Sequence, residues 1–589
     1  MPSYDILIKN GIIVDGTGAS NFKGAIAVRE GYIHAIGGVE GEVAGEADSV
    51  VDAKGLTVTP GFIDVHNHGD LSILHFPEAD GFVRQGITTF VGGNCGTSPG
   101  PYGDYIDQMY FLYDLYWELD PDMYYPERLQ PRDELNRLHK EWYGWEIDWE
   151  TLGEFCAKVE ERGLSPNYVP LVGHGDIRNL VMGRDFRREA TGDEVSEMKE
   201  HVRRAMEEGV RGISVGRDYA PGYYADKEEL IECAKVASEY GGIYTSHSLR
   251  TGIRIERRPG EWPPGKIHGV LEAIDVARKA GISAEVSHLS PLYDVWPGGS
   301  DIMAEAAVEA TLKAFDDADE EGLDVHFDLI PHTTTGGIYT APYLASALLP
   351  WLRVTGGREE LAAALEMDEL REEIRETIMS GKWYSLNPNI NPSWASRPKI
   401  KVTEVDEYKD KTVAEIAEEL EMEPLDALMR ILRNDPHAKA MAEEEEGNLK
   451  HLFYQHPKAM IGIDTFAVDT SWRIDSPPWY LPNENTFGGF PRYFRRTVRE
   501  EKSLTMEEAV KKVTSLPASK FGLEDRGVLK KGAYADIVIM NPDTITDRGN
   551  AIHPNVYPEG VEYVIINGEI VVEEEEHTGR RPGEVLYRK

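Results

Sequence analysis

The sequence predicts a (β/α)8 TIM-like barrel that carries a small composite β-sandwich domain built from both ends of the chain. Between residues 60 and 525, eight apolar strand-like segments alternate with amphipathic helical segments, which is typical of an α/β barrel. Near each end, two apolar runs flank an Asn-Gly turn, in YDILIKNGIIVDG and in VEYVIINGEIVV, and this is a strong hairpin signal. An open doubly wound sheet is the alternative, but no glycine-rich phosphate loop follows the first strand.

The eight predicted barrel strands follow one another in chain order, and most of them end in a polar residue. They are FIDVH, ITTFVGGNC, NYVPLVGHG, GISVGRDYA, IYTSH, SAEVSHLS, DVHFDLIPH and KAMIGIDTF. Helical segments such as GDEVSEMKEHVRRAMEEG and KEELIECAKVASEYGG lie between them. Because barrel active sites lie at the carboxyl ends of the strands, these polar ends are where chemistry is expected.

The domain boundaries are predicted at residues 59 and 526. Residues 1–59 and 526–589 would form the composite β-sandwich domain, and residues 60–525 would form the catalytic barrel. Two segments are longer than a barrel needs: residues near 99–148, rich in Tyr, Trp, Asp and Pro, and residues near 340–450, mostly helical. Such insertions form lids or substrate walls, or they serve packing and subunit contacts, and the sequence leaves both interpretations open. It also leaves open whether the protein is a homo-oligomer.

Composition excludes two classes of partner. Lys and Arg number 62 against 103 Asp and Glu, so the net charge is −41, and such a surface would repel nucleic acids and anionic membranes. No apolar run approaches the ~20 residues that span a bilayer, and the first residues lack the pattern of a signal peptide. The three cysteines are too few for a disulfide framework, which fits a reducing compartment. We therefore expect a soluble cytoplasmic protein.

Five predicted strand ends supply residues that can bind a metal. His66 and His68 end the first strand, and residues two apart in a strand point the same way. The full set of candidate ligands is His66, His68, Cys95, His247, His288 and Asp464. One histidine at a strand end is more often structural, but together these residues place nitrogen, sulfur and oxygen around one barrel mouth. That mixture of donors suits zinc.

The chain resembles the D-aminoacylase (N-acyl-D-amino-acid deacylase) family of the amidohydrolase superfamily. The resemblance lies in ordered motifs that run from residue 5 to the end, interrupted mainly by the two insertions. They include GFIDVHNHGD, QGITTFVGGNCG, LVGHGDIRNLVMG, DYAPGYYA, GGIYTSH, AEVSHL, HPKAMIGID, GGFPRYF and TSLPASKFGLEDRG. The resemblance implies a metal-dependent hydrolase barrel that acts on carbon–nitrogen bonds other than peptide bonds.

The resemblance also implies two metal positions. Cys95 matches the family cysteine that binds zinc where other members of the superfamily use a carboxylated lysine, and the fourth strand has no lysine. His247 and His288 would complete a tightly held zinc site with Cys95. The remaining ligands, His66, His68 and Asp464, would frame a second, weaker position. Whether one or two ions bind is left open.

Catalytic roles follow from the same matches. Asp464 would take the proton of the attacking water and pass it to the leaving nitrogen. Tyr219, in DYAPG, matches the family tyrosine that donates to the carbonyl oxygen, and packing is the alternative role for its ring. His174 in GHG is a second candidate donor, or a structural histidine.

The residues that bind substrate depart from the family pattern. Ser290 stands where the family has a lysine, His332 where it has a tyrosine, and Asn483 where it has an arginine. A buried carboxylate without a paired cation is strongly disfavoured, so another cation is needed or the substrate has no carboxylate there. Arg217 is the candidate for the compensating cation, and pairing with Asp218 or a helix end is the alternative.

Three functions therefore compete. The leading hypothesis is a zinc-dependent amidohydrolase that cleaves the linear amide bond of a small molecule, an N-acyl-D-amino acid. The second keeps the fold and the metal but takes an uncharged, peptide-like or cyclic amide, as a hydantoinase does. The third, a silent binding or assembly protein, is opposed by the intact ligand set and by Asp464.

Overall fold

The computed structural model describes most of the chain. The described residues are 3–38, 43, 46–107, 110–119, 129–249, 266–289, 301–332, 339–380, 394–442 and 449–588. Within them, no helix is long and apolar enough to cross a membrane.

The strands of this part of the chain are numbered in chain order. The first twelve are β1 (Ser3–Ile13), β2 (Phe22–Arg29), β3 (Tyr32–Gly38), β4 (Glu46–Asp52), β5 (Thr57–Pro60), β6 (Phe62–Asp64), β7 (Ile87–Gly92), β8 (Tyr105–Ile106), β9 (Gln130–Pro131), β10 (Asn167–Pro170), β11 (Val172–Gly173) and β12 (Gly212–Gly216). The others are β13 (Ile243–His247), β14 (Ser283–Ser287), β15 (Val325–Leu329), β16 (Tyr339–Thr340), β17 (Pro398–Val402), β18 (Lys439–Ala442), β19 (Ala459–Ile461), β20 (Leu481–Pro482), β21 (Ile537–Met540), β22 (Val561–Ile566), β23 (Glu569–Glu573) and β24 (Glu576–His577).

The α-helices are numbered in the same way. They are α1 (Asp80–Val83), α2 (Tyr113–Leu119), α3 (Arg132–Tyr143), α4 (Leu152–Arg162), α5 (His174–Met182), α6 (Gly192–Glu207), α7 (Lys227–Glu239), α8 (Lys266–Ala280), α9 (Asp301–Glu320), α10 (Leu349–Thr355), α11 (Arg358–Ala364), α12 (Asp368–Met379), α13 (Val413–Glu419), α14 (Pro424–Asn434), α15 (Lys450–Gln455), α16 (Asn485–Phe494), α17 (Met506–Val513) and α18 (Ser515–Lys520). Several begin with a capping box. Thr151 and Glu154 form the one at the start of α4, and Thr191 and Glu194 form the one at the start of α6.

Parallel strands form the barrel. One run pairs β6, β7 and β10, and the other pairs β11, β12, β13, β14, β15 and β19. The strands β10 and β11 are separated only by Leu171, whose N–H donates to Gly92 O, so they form one wall segment. The ring closes where Asp464 N–H donates to His66 O at 2.8 Å. The described residues thus contain the eight predicted strands in the predicted order, and the barrel fold class is confirmed.

Strands from the two ends of the chain share one sheet. Its order is β24-β23-β22-β21-β5-β1-β2-β3, with β4 paired to β1. The join between the ends is antiparallel and pairs Ile537 with Pro60 and Met540 with Thr57. Apolar side chains from both ends pack in one cluster beneath the sheet, among them Ile8, Ile26 and Ile565. The predicted division into domains at residues 59 and 526 stays a prediction.

The two long insertions contain helices. The first carries α2 and α3, and the second carries α10 to α14 with a hydrophobic cluster of its own that includes Leu352, Ile400 and Leu428. Both contact the segment that follows β19. Tyr113 of α2 donates its hydroxyl to Pro477 O at 3.0 Å, and the Arg358 guanidinium lies between the rings of Tyr343 and Trp479.

Candidate metal centre

The predicted ligands converge at the carboxyl ends of the barrel strands. His247 is the last residue of β13, and the others follow β6, β7, β14 and β19 by one to four residues. Because the strands are parallel, their carboxyl ends meet at one mouth of the barrel. All six side chains, those of His66, His68, Cys95, His247, His288 and Asp464, are buried.

Four of these residues form the compact part of the centre. His66, Cys95, His288 and Asp464 each offer one ligand atom, and the four atoms all lie within 4.8 Å of one another. The Nε2 atom of His66 is 3.1 Å from Cys95 Sγ, and Nε2 of His288 is 3.0 Å from Asp464 Oδ2. Ligands of a tetrahedral zinc at ~2.0–2.3 Å are separated by about 3.3–3.8 Å. The two measured distances, 3.1 and 3.0 Å, are shorter than that range, and the four atoms together are close enough to surround one ion.

His68 and His247 adjoin this group on two sides. His68 Nε2 lies 3.3 Å from Asp464 Oδ1, and His247 Nδ1 lies 3.3 Å from Cys95 Sγ. The structure therefore brings all six predicted ligands together. It places Cys95 between His66, expected in the weaker metal position, and His247, expected in the tighter one.

The backbone is bent at two of the ligands. Cys95 has a φ of +59° and Asp464 a φ of +47°, the left-handed region that residues other than glycine rarely adopt. Such conformations persist where the surrounding structure holds them, and they cluster at functional sites. At Asp464 the hydrogen bond from its N–H to His66 O is one of the contacts that fix the bend.

The charges of the centre favour anionic donors. Burial alone would raise the pKa of the Cys95 thiol, but the neighbouring His66 and His247 outweigh it and hold that pKa well below its ordinary value. Burial likewise opposes ionisation of Asp464, and His288 and His68 lower its pKa well below the usual range. Burial would lower the pKa of His68, yet Asp464 and Cys95 raise it to about 10. The cluster thus contains a thiolate and a carboxylate, each next to imidazole rings.

These residues fit a divalent metal. Asp464 Oδ1 is completely buried and has no hydrogen bond of good geometry in the described part of the chain, although two imidazole nitrogens lie 3.3 and 3.6 Å away. A buried anionic oxygen in this position is satisfied by a cation. The donor set of thiolate, imidazole and carboxylate is the one that zinc takes in proteins.

Tyr219 adjoins the ligands. Its hydroxyl donates to Cys95 O at 2.9 Å and lies 3.4 Å from His247 Nδ1. The expected donor therefore stands at the edge of the centre, tied to the backbone of one ligand and to the ring of another.

Two of the predicted substrate residues have partners of their own. His174 is fully buried, with Nε2 2.8 Å from Glu229 Oε1, and Arg178 binds the same carboxylate. Arg217 donates through Nε to Glu272 at 2.7 Å and through Nη1 to the carbonyls of Gly222 and Ala225. Arg217 thus has a structural ion pair, but its partner is Glu272, in the interior of α8, and neither Asp218 nor a helix end as the alternative expected.

The other two predicted substrate residues lie after β14 and β15. Ser290 is outside the described residues. His332 is buried, with Nε2 3.3 Å from Asp547 Oδ2, a carboxylate that also binds Arg492 and Arg495. Burial lowers the pKa of His332, so its ring is neutral at neutral pH.

One further residue at the centre, Asp328, has only a weak signal in the sequence. Asp328, near the end of β15, is fully buried and lies 3.4 Å from His66 Nδ1. In DVHFDLIPH its position alternates with apolar residues, which marks an inward-facing residue, and that alternation was the only available signal.

A barrel with a buried cluster of metal donors at the carboxyl ends of its strands has the architecture of a metal-dependent enzyme. The model of the Amidohydrolase family matches residues 49–246 and 460–572, and the chain belongs to that family. The chain is thus an enzyme of a class that hydrolyses carbon–nitrogen bonds, as the resemblance implied.

Relatives that align over nearly the whole chain indicate a narrower group within this family. An N-acyl-D-glutamate deacylase of Alcaligenes xylosoxydans xylosoxydans is 29% identical over 99% of this chain and 96% of its own length. A D-aminoacylase of the same organism is 26% identical over 99% of this chain and 98% of its own length. The crystal structure of N-acyl-D-glutamate deacylase from Bordetella bronchiseptica, complexed with zinc and a phosphonate inhibitor, has a TM-score of 0.67, is 28% identical and covers 100% of both chains. The resemblance to the D-aminoacylase family is confirmed.

Proposed function

We propose that this chain is a zinc-dependent deacylase that hydrolyses the linear amide bond of an N-acyl-D-amino acid. The observation that carries the proposal is the buried Asp464 carboxylate, held within 3.6 Å of His66, His68 and His288 at the barrel mouth. The full-length similarity to deacylases of N-acyl-D-amino acids supports the substrate class.

The ligand set also supports the choice of metal. We infer one tightly bound zinc ion with Cys95, His247 and His288, and a second, weaker position with His66, His68 and Asp464. The ion, when bound, would polarise the scissile carbonyl and lower the pKa of the attacking water. The three cysteines, too few for a disulfide framework, support a cytoplasmic location, and the two long insertions offer surfaces for a homo-oligomeric contact.

The chain's own groups would move the protons. Asp464 is ionised, because its pKa is held low by His288 and His68 against burial, so it can accept a proton from the attacking water. As the C–O bond forms and the C–N bond breaks, the same carboxyl group would give that proton to the leaving nitrogen. The Tyr219 hydroxyl would donate to the carbonyl oxygen as negative charge develops there.

Replacement of Asp464 tests the proposal. In zinc-reconstituted protein assayed with N-acetyl-D-amino acids, Asp464→Asn should lower kcat by about 10²- to 10⁴-fold, because the amide cannot accept the proton. The matched control is Asp475→Asn, an exposed carboxylate eleven residues further along the chain, which should behave as wild type. Absence of hydrolysis in the wild type, or full activity in Asp464→Asn, would contradict the proposal.

A neutral network favours a second candidate substrate, an uncharged, peptide-like or cyclic amide. Where the family has a tyrosine and an arginine, His332 and Asn483 are buried and joined through Asn485. The backbone N–H of His332 donates to Asn485 Oδ1 at 2.9 Å, and Asn485 Nδ2 donates to Asn483 Oδ1 at 2.8 Å. The side chains of Asn483 and Asn485 therefore pair with each other and with the His332 backbone, and neither amide offers a positive charge to a carboxylate.

Paired substrates separate the two candidates. N-acyl-D-amino acids should be compared with their carboxamides, in the wild type and in Arg217→Ala. Preference for the free acids that is lost in Arg217→Ala would support a carboxylate bound by Arg217. Preference for the free acids that survives would assign the carboxylate to another cation, and equal or faster turnover of the carboxamides would favour the uncharged amide.

A further inference from the structure

Asp328 is a buried carboxylate without the partners that usually hold one. Its side chain is 0% exposed, and neither oxygen makes a hydrogen bond of good geometry within the described residues. The His66 ring lies beside it, with Nδ1 3.4 Å from Asp328 Oδ2. That nitrogen is also buried and makes no hydrogen bond of good geometry within the described residues. In the described part of the chain, these two atoms therefore lack any hydrogen-bond partner other than each other.

A neighbouring carboxylate shows the contrast. Asp64, also fully buried, accepts hydrogen bonds from the backbone N–H groups of His66 and Ile463 and from Asn67 Nδ2 at 2.7 Å. Those contacts fix the turn after β6, which is a structural role. Among the residues that the structure describes, the Asp328 side chain makes no comparable contact to the backbone, so local structure there does not account for its burial.

The other nitrogen of the same ring faces the metal centre. His66 Nε2 lies 3.1 Å from Cys95 Sγ and 3.6 Å from Asp464 Oδ1. An imidazole binds a metal through an unprotonated nitrogen, so a ligating Nε2 requires that Nδ1 carry the proton. A carboxylate beside Nδ1 stabilises that tautomer and fixes the plane of the ring.

We propose that Asp328 is a positioning residue that accepts the Nδ1 proton of His66 and so keeps Nε2 unprotonated and directed at the metal position. The inference rests on the proposed metal-dependent function and extends it by a residue outside the ligand set.

Glu285 supplies a matched control. It lies on the adjacent strand β14, opposite His326 of β15, and is 0% exposed. Burial, and then the charge of Asp328, raises its pKa well above the ordinary value, so its carboxyl group is neutral. Glu285→Gln therefore exchanges one neutral group for another of the same shape at the same depth in the barrel.

Zinc affinity measured without substrate tests the proposal. Metal-free wild type, Asp328→Asn and Glu285→Gln would each compete for zinc with a chromophoric chelator. We expect Asp328→Asn to bind the ion held by His66 about 10- to 100-fold more weakly, and Glu285→Gln to bind it as the wild type does. With Co²⁺ in place of zinc, the ligand-field bands of Asp328→Asn should shift while the Cys95 thiolate charge-transfer band remains.

Each outcome decides one point. A wild type that binds no zinc would overturn the metal-dependent function itself. Equal affinity in wild type and Asp328→Asn, or an equal loss in Glu285→Gln, would overturn the orienting role. Asp328→Glu keeps the carboxylate charge, which the amide of Asp328→Asn lacks, and should bind zinc more tightly than Asp328→Asn. Asp328→Ala provides the same comparison should the Asn variant not fold, which thermal unfolding of the metal-free protein would reveal.

Discussion

At the scale of single residues, Tyr219 has the most specific expected effect. Its hydroxyl lies beside Cys95 O and His247 Nδ1 and would stabilise the developing oxyanion. Tyr219→Phe removes that donor and keeps the ring, so kcat should fall by about 10²- to 10³-fold while zinc content stays unchanged. Tyr223→Phe, a tyrosine four residues further along, is the matched control for kcat and metal content. Wild-type kcat in Tyr219→Phe would remove Tyr219 from the mechanism.

The site shows which residues a sequence can reveal. Every predicted metal ligand lies in the centre because each follows an apolar strand, and strand ends of a barrel share one mouth. The partner of Arg217 could not be predicted in the same way. Glu272 lies 55 residues away on α8, and a sequence does not show which carboxylate of a helix faces a given strand. Asp328 was missed because an acidic residue inside a strand has no local signature of its use.

At the scale of elements, a buried ion cluster joins helices α5 and α7. Glu229 of α7 binds His174 and Arg178 of α5, and all three side chains are buried. Burial would raise the pKa of Glu229, but His174 and Arg178 outweigh it and lower that pKa from 4.5 to about 2. Because the pKa of Glu229 is lowered in the folded protein, its interaction with His174 and Arg178 stabilises the fold at pH values above about 4.5.

Because the pKa of Glu229 is lowered on folding, the stability of the folded protein should decrease at acidic pH. As pH falls from about 4.5 through about 2, the folded protein should lose on the order of 3 kcal/mol of stability from this one group. At neutral pH, Glu229→Gln should lower the free energy of unfolding by about 3–5 kcal/mol, because it leaves Arg178 buried and unpaired. Denaturant unfolding across this pH range checks both values. Glu228→Gln, an exposed neighbour on α7, is the control, and equal effects of the two substitutions would contradict the prediction.

The elements themselves were largely predictable. Barrel strands such as β13 and β14 are short apolar segments bounded by polar residues, so period and length identify them. The break at Leu171, where one wall segment stops pairing with β7 and starts pairing with β12, depends on which neighbouring strand lies opposite each residue. A long-range contact of this kind leaves no local pattern.

At the scale of the whole molecule, the sheet shared by the two chain ends makes a prediction. A chain that stops at residue 527 lacks β21 to β24 and exposes the edge of β5 together with the apolar cluster beneath it. Such a chain should aggregate or lose its cooperative thermal transition. Co-expression of residues 528–589 as a separate polypeptide should restore soluble protein. Cooperative unfolding of the truncated chain at the wild-type temperature would instead show that the ends fold independently and would contradict the predicted composite domain.

The closure of the barrel has a consequence for biosynthesis. His66 O accepts the hydrogen bond from Asp464 N–H, so the first and last barrel strands meet at the metal centre. A ribosome that adds about 5–20 residues per second needs roughly 20–80 s to travel from one to the other. Throughout that interval the emerging chain carries its early histidines and its thiol without the carboxylate that completes the set. A metal position that includes Asp464 would therefore be complete only after translation of the barrel, and its loading would report that the last strand has docked.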